Sequence, residues 1–346
     1  MEAKVSPETV MRKAQLLAGG AVKLPRDFRL PFAPSRSTAG PGAGRQEVVF
    51  SFGGARAKKE ISRESGEFEL VEDKDGLSLL RRGEPFVRRV ELVQTLLHAP
   101  FQAFINVDSR CEYRCAFCGS HRLDPHATKN LGDDKIVEMA VGASGTPGFT
   151  GVAITSGVVG SPAETVDRLV GLVTRIRAEL PGTPVGVEPY VTRPDQIDRL
   201  REAGVTEIKI NIESFDRDVF EKICTGRDYD VILHGINHAC EVFGRNKVCS
   251  NIIFGMGESD ETVIHGLKVL GNMGAVGTLR ALRVNDLNRA DLEIALGRLE
   301  PVTADRMLRL AEQQKRILQD YGLTTLSFKT MCHACLACDI VPFWDV

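Results

Sequence analysis

The sequence predicts an α/β fold in which strand and helix alternate. Apolar, strand-like runs begin near Phe101, Gly151, Val185, Glu207, Lys247 and Thr278, and an amphipathic helical stretch follows each of them. A repeat of about 30 residues per unit marks parallel βαβ units with right-handed crossovers. A closed eight-unit barrel takes about 250 residues, more than the chain offers before its last helices. The expected architecture is therefore a partial, TIM-like (β/α)6 barrel over residues 101–300. A small N-terminal extension (1–100) precedes it, and a helix with a cysteine-rich tail (301–346) follows.

The elements justify themselves in order. Residues 7–17 suit a short helix, with Ser6 as cap and Pro7 in the first turn. Residues 24–44, rich in Pro, Gly, Arg and Ser, read as an extended arm. Residues 47–52, 67–71 and 77–80 read as strands, the last two joined by the hairpin signal Lys74-Asp75-Gly76. The helix after the second barrel strand opens Ser161-Pro162-Ala163-Glu164, a cap, a first-turn proline and a capping-box glutamate. The helix at 303–321 carries apolar residues at Met307, Leu310, Ala311, Ile317 and Leu318 and stops before Gly322. A short strand-like piece is expected at 323–329.

Composition excludes several classes. Of 346 residues, 43% are apolar and 26% charged, as in ordinary globular proteins, and the formal net charge of −2 suggests neither nucleic acid nor an anionic membrane as partner. No apolar run reaches the roughly 20 residues of a membrane span. The polar start, Met-Glu-Ala-Lys-Val-Ser-Pro, lacks a signal-peptide core, so a cytoplasmic location is expected. Six of the nine cysteines fall in two tight triplets, while Cys224, Cys240 and Cys249 stand alone. That distribution favours metal clusters over disulfides.

The first triplet, Cys111-x₃-Cys115-x₂-Cys118, follows an apolar strand and carries Phe117 before its last cysteine. Three thiolates hold three irons of a [4Fe–4S] cube and leave the fourth open. An open iron can chelate S-adenosylmethionine (SAM), whose one-electron cleavage releases a deoxyadenosyl radical. The alternative is a zinc knuckle, for which His121 and His126 are the nearest fourth ligands. The second triplet, Cys332-x₂-Cys335-x₂-Cys338, suits a second [4Fe–4S] cluster, with Cys249, His333 or an outside group for its fourth iron. Zinc is the alternative there as well.

The first motif and its setting resemble the radical SAM superfamily, which implies a partial barrel with the cofactor at the carboxyl ends of its strands. By that resemblance Ser156 and Gly157, after the second strand, meet the methionine part of SAM. Lys209, Asn211 and Glu213 alternate onto one face of the fourth strand. Glu213 there suits the ribose diol, or else a salt bridge to Lys209 or another internal cation. The fifth strand, Val248-Cys249-Ser250 through Gly255-Met256-Gly257-Glu258, resembles biotin synthase and its relatives. The resemblance implies adenine contact at Ile253 and Gly255, a cofactor role for Glu258 and iron ligation by Cys249. Asn251 replaces the usual glycine. The second and third strands lack the further cysteines of biotin synthase. No cysteine precedes Cys111, unlike in classical lipoyl synthase. His234 falls near the place of the family's basic residue for the SAM carboxylate.

With its tail triplet the chain most resembles a subunit of the two-component lipoyl synthase. That resemblance rests on residues 96–104, 186–190 and 280–288 and on the tail Met331-Cys-His-Ala-Cys. It implies sulfur insertion into an octanoyl-lysyl chain on a lipoyl-carrier protein, two [4Fe–4S] clusters and SAM. It also implies a paralogous radical SAM subunit and an electron donor such as ferredoxin or flavodoxin. The rival readings are another biotin synthase-like enzyme, for methylation or carbon-skeleton change, and a non-catalytic iron–sulfur or zinc protein.

Overall fold

The computed structural model describes residues 5–124 and 131–346; His126 lies outside them. Helix α1 (Pro7–Ala18) starts where Ser6 Oγ accepts the Thr9 N–H at 3.2 Å. A mostly antiparallel sheet follows, made of β1 (Val22–Lys23), β2 (Ser35–Arg36), β3 (Gln46–Phe52), β4 (Ala55–Ser62), β5 (Phe68–Asp73), β6 (Gly76–Arg81), β7 (Glu84–Val87) and β8 (Glu91–Val93). Its strand order is β2-β3-β4-β1-β5-β6-β7, with β8 on β3 and β1 parallel to both neighbours. The expected hairpin at Gly76 joins β5 to β6, the glycine taking φ +107°. The N-terminal region is thus a full sheet rather than a few strands.

The barrel elements then come in sequence: β9 (Gln102–Asn106), α2 (Asp133–Ser144), β10 (Gly151–Thr155), α3 (Pro162–Glu179), β11 (Val185–Glu188), α4 (Pro194–Glu202), β12 (Glu207–Lys209), α5 (Arg217–Ile223), α6 (Tyr229–Phe243), β13 (Val248–Phe254), α7 (Asp260–Met273) and β14 (Val276–Ala281). All six strands are parallel and pair in chain order from β9 to β14. Ser161 caps α3 as expected, accepting the Glu164 N–H. The remaining helices are α8 (Arg289–Leu296), α9 (Ala304–Asp320) and α10 (Met331–Cys335). Helix α9 buries Met307, Leu310, Ala311, Ile317 and Leu318 against α7, β14 and α1. Each of these side chains other than Ala311 stabilises by about 1.5–3 kcal/mol.

Residues 323–329 form turns, not the expected strand. The Thr324 N–H donates to Asn246 Oδ1 (2.7 Å), and Leu323 and Phe328 pack on Cys249, Val276 and Leu318, which leaves the segment no sheet edge to join. Among the described residues no helix is long and apolar enough to cross a membrane.

Candidate functional site

The first cysteine loop is held by the end of β9 and the turn after β10. Buried Asp108 accepts from Arg110 N and Nε (2.9 and 3.0 Å), and its carbonyl accepts the Gly157 N–H (2.8 Å). A Cβ on Gly157 would lie 1.9 Å from the Arg110 carbonyl oxygen. Glycine is therefore needed there to seat the turn against the cysteines. The Val158 N–H donates to Cys111 Sγ and the Ser120 N–H to Cys118 Sγ, both at 3.4 Å. Burial pushes the Cys111 and Cys118 thiols up. Cys115 is instead drawn down to about 7, first by a hydrogen bond with Cys224 and then by the Arg227 guanidinium.

Beside this loop stand Glu213 and Arg227. Glu213 takes φ +65°, fixed by Glu213 N–H to Asn251 O (3.0 Å) and Ile253 N–H to Glu213 O (2.7 Å). Its Oε1 lies 3.4 Å from Arg227, while Oε2 is buried without a partner among the described residues. Burial raises its pKa against the pull of Arg227. Arg227 donates to the Asn211 carbonyl (2.7 Å), stacks over Tyr190 and also leaves its buried Nε unpartnered. Buried polar atoms normally have partners, and among the described residues these two atoms have none. Asn211 bridges neighbouring strands, donating to Glu188 Oε1 (2.6 Å) and accepting the Asn251 N–H (3.1 Å).

The tail is threaded into the barrel. Glu207, 1% exposed at the start of β12, accepts from Thr330 N (2.9 Å), Thr330 Oγ1 (2.6 Å) and Lys329 N (3.0 Å). Fully buried Gln102, at the start of β9, donates to the Met331 carbonyl and accepts its N–H, both at 2.8 Å. Gly186 makes the room: a Cβ there would lie 2.1 Å from Thr330 Oγ1. A buried ion pair, Lys13 to Asp345 at 2.6 Å, ties the chain end to α1. Arg280 Nη2 lies 2.5 Å and Lys209 Nζ 3.5 Å from Cys332 Sγ. Lys209 also pairs with Glu188 (3.2 Å) and Arg280 with Asp339 (3.3 Å).

One cavity of about 970 Å³ is lined by all six triplet cysteines, together with Phe117, Ser156, Gly157, Asn211, Glu213, Arg227 and Ile253. Residues 33–42 of the N-terminal arm form part of its wall, held by Asn106 Nδ2 to Thr38 O (3.1 Å) and the Gly119 N–H to Gly40 O (3.0 Å). Residues 105–270 match the family model of the radical SAM superfamily.

Residues 105–270 thus form a radical SAM domain. Biotin synthase of Geobacter sulfurreducens is 32% identical over 166 residues, 46% of this chain and 48% of that protein. GTP 3',8-cyclase of Rhizobium etli is 22% identical over 242 residues, 65% of this chain and 61% of that protein. The chain spans about half the length of the biotin synthases it matches. Two solved structures share its fold. Methylornithine synthase (PylB) has a TM-score of 0.51 at 20% identity, covering 62% of each chain. The FeFe-hydrogenase maturase HydG from Carboxydothermus hydrogenoformans has 0.53 at 16%, covering 64% of this chain and 52% of its own.

Within this radical SAM domain several expected residues lie away from the cavity. Glu258 is 7% exposed and accepts from Gly255 N and Met256 N (both 2.8 Å) while pairing with Arg306 (2.7 Å); its carboxylate holds its own turn and α9. Gly255 takes φ +100°, and a Cβ there would lie 2.4 Å from Val302 Cγ2, so it admits that side chain rather than lining the cavity itself. Cys249 packs among Val276, Leu318, Leu323 and Phe328, within electrostatic reach of Lys209 and Cys332, and His333 turns to Thr278 (3.1 Å) and the Phe328 ring. His234 is exposed on α6. Glu213 pairs with Arg227, not with Lys209. His121 is not among the cavity residues, and among the described residues no three His, Cys, Asp or Glu gather as a single ion requires. Arg227 is the residue that sequence reasoning missed. It stands one position before Asp228, the cap of α6, outside both the strand and the helix pattern.

Proposed function

We propose that the protein inserts sulfur into an unactivated C–H bond, as a lipoyl synthase component acting on an octanoyl-lysyl chain of a carrier protein. One observation carries this reading: both cysteine triplets, from opposite ends of the chain, line one cavity. The biotin synthases among its relatives support the same reaction class. Cys111, Cys115 and Cys118 would hold the SAM-binding [4Fe–4S] cluster, and Cys332, Cys335 and Cys338 the second. When bound and reduced, the first cluster supplies the electron that cleaves SAM, and the second supplies the sulfide.

The chain's own residues then have distinct tasks. The free Nε of Arg227 suits a carboxylate, and the free Oε2 of Glu213 suits a ribose hydroxyl. Phe117 and Ile253 give apolar walls, and Ser156 and Asn211 give polar ones. Burial pushes the Cys332 thiol up, and Arg280 and Lys209 beside it pull the other way, toward the thiolate an iron ligand needs. Residues 1–100 act as a cap whose arm excludes water from the barrel mouth, residues 101–300 as the radical barrel and 301–346 as the sulfur-donating tail. The acyl chain is delivered by the carrier protein and electrons by ferredoxin or flavodoxin, with a paralogous subunit sharing the work.

The test is anaerobic purification with iron and sulfide counting, followed by dithionite, SAM and an octanoylated lysyl peptide. Deoxyadenosine with a monothiolated peptide is expected. Deoxyadenosine without thiolation would overturn sulfur insertion and shift the reading to carbon-skeleton or methylation chemistry.

A further inference from the structure

Lys59 is 7% exposed, yet among the described residues no carboxylate lies within 4.0 Å of its ammonium. Two of its three donors are satisfied by carbonyls at the end of α1, Gly19 O at 2.6 Å and Leu17 O at 3.4 Å. The charged groups around it are Arg283, Glu67, Glu47 and Glu60. Each of these carboxylates is already engaged: Glu67 with Arg81 (2.7 Å), Glu47 with Lys58 (3.1 Å) and Arg283 (3.2 Å), and Glu60 with Arg45 (3.3 Å). A buried cation costs stability unless it is paired, so one with no anion of its own, facing a cavity, marks a place for one.

Lys59 lines the same large cavity, in a part walled by residues 17–21 and by Ala33 and Pro34. Ala18, Gly20 and Ala33 are exposed, so this part communicates with solvent as well as with the barrel. These residues offer apolar side chains and glycine backbone, and Glu47 and Glu60 line the same cavity. A single remaining ammonium donor suits one carboxylate oxygen, whereas a phosphate group would call for several donors.

We propose that this arm of the cavity binds a small, largely apolar acid by its carboxylate, with Lys59 as counter-ion and residues 17–21, Ala33 and Pro34 against its chain. Its residues are distinct from the two cysteine triplets, which line the same cavity. Burial draws the Lys59 amine down to about 7, and an arriving carboxylate restores its charge, so binding above neutral pH takes up a proton.

The probe is sodium octanoate, titrated calorimetrically into the full-length, anaerobically purified protein in buffers of different ionisation enthalpy. Saturable binding is expected, with proton uptake at pH 8 and none at pH 5.5. The Lys59→Met variant should bind roughly tenfold more weakly or worse, and octanamide and inorganic phosphate should not compete. A second measurement needs no variant: octanoate should protect Lys59 of the wild-type protein from reductive methylation, read by mass spectrometry. Absence of octanoate binding at millimolar concentration, equal binding by Lys59→Met, equal binding of octanamide, or unprotected Lys59 would overturn the proposal. Binding is read without turnover, so its failure and a failure of the thiolation assay are distinguishable.

Discussion

Replacing Gly186 by alanine should drive the tail out of the barrel. The added methyl would lie 2.1 Å from Thr330 Oγ1, 2.9 Å from Thr330 Cβ and 3.1 Å from Met331 Cε. Thr330 has no exposed surface into which to yield, and its hydroxyl is bound to Glu207 Oε2 at 2.6 Å. Overpacking of this kind costs about 1–3 kcal/mol, and loss of a hydrogen bond to a buried carboxylate about 1.5–3 kcal/mol. Allowing for overlap, about 2–4 kcal/mol is expected, or roughly a 30- to 900-fold increase in opening of the tail. The assay is hydrogen exchange at the Met331 amide, which donates to Gln102 Oε1, read beside urea unfolding. Gly182→Ala is the control, because a Cβ there meets nothing within 4 Å. Gly186→Ala with unchanged Met331 protection and an unchanged urea midpoint would refute the threaded tail.

Other consequences follow from the same geometry. Arg227→Met leaves the Glu213 carboxylate buried without its cation, so a loss of about 3–5 kcal/mol in urea unfolding is expected, together with a SAM affinity at least roughly tenfold lower by equilibrium dialysis. Lys13→Met likewise breaks a buried pair, with Asp345, and should cost about 3–5 kcal/mol and expose the last residues to carboxypeptidase. Burial, then the Lys58 ammonium, holds His98 down to about 3. Its share of stability is therefore complete above its unfolded value near 6.5 and is lost as pH falls, by about 1–2 kcal/mol at pH 5; His98→Gln should flatten that part of the stability-against-pH curve. Cys249→Ser should leave the iron content of the purified protein unchanged, whereas alanine at Cys332, Cys335 and Cys338 together should halve it.

Much of the barrel was legible because its strands are buried on both faces and read as continuous apolar runs separated by capped helices. The start of α3 at Ser161-Pro162 and the body of α9 needed only local rules. Strand β4 was missed because Arg56, Lys58, Lys59 and Glu60 give it a charged, helix-like composition; the ion pairs Lys58–Glu47 and Arg45–Glu60 that permit its burial are long-range. Both triplets were visible from spacing alone, but their meeting in one cavity was not. It depends on the room at Gly186 and on buried Gln102 and Glu207, polar residues whose only signal was an odd place in apolar strands. Cys249 and Glu258 were assigned by likeness of motif. In the structure Glu258 satisfies two backbone N–H groups and Arg306, and Cys249 packs among Val276, Leu318, Leu323 and Phe328, contacts that motif likeness does not reveal.

The most direct measurement follows sulfur from tail to product. Protein reconstituted with ³⁴S-sulfide, freed of excess sulfide and given SAM, reductant and an octanoylated lysyl peptide should yield thiolated peptide carrying ³⁴S. The variant with alanine at Cys332, Cys335 and Cys338 should cleave SAM yet leave the peptide unthiolated. Thiolated product from that variant, or product without the label from the wild-type chain, would contradict the account.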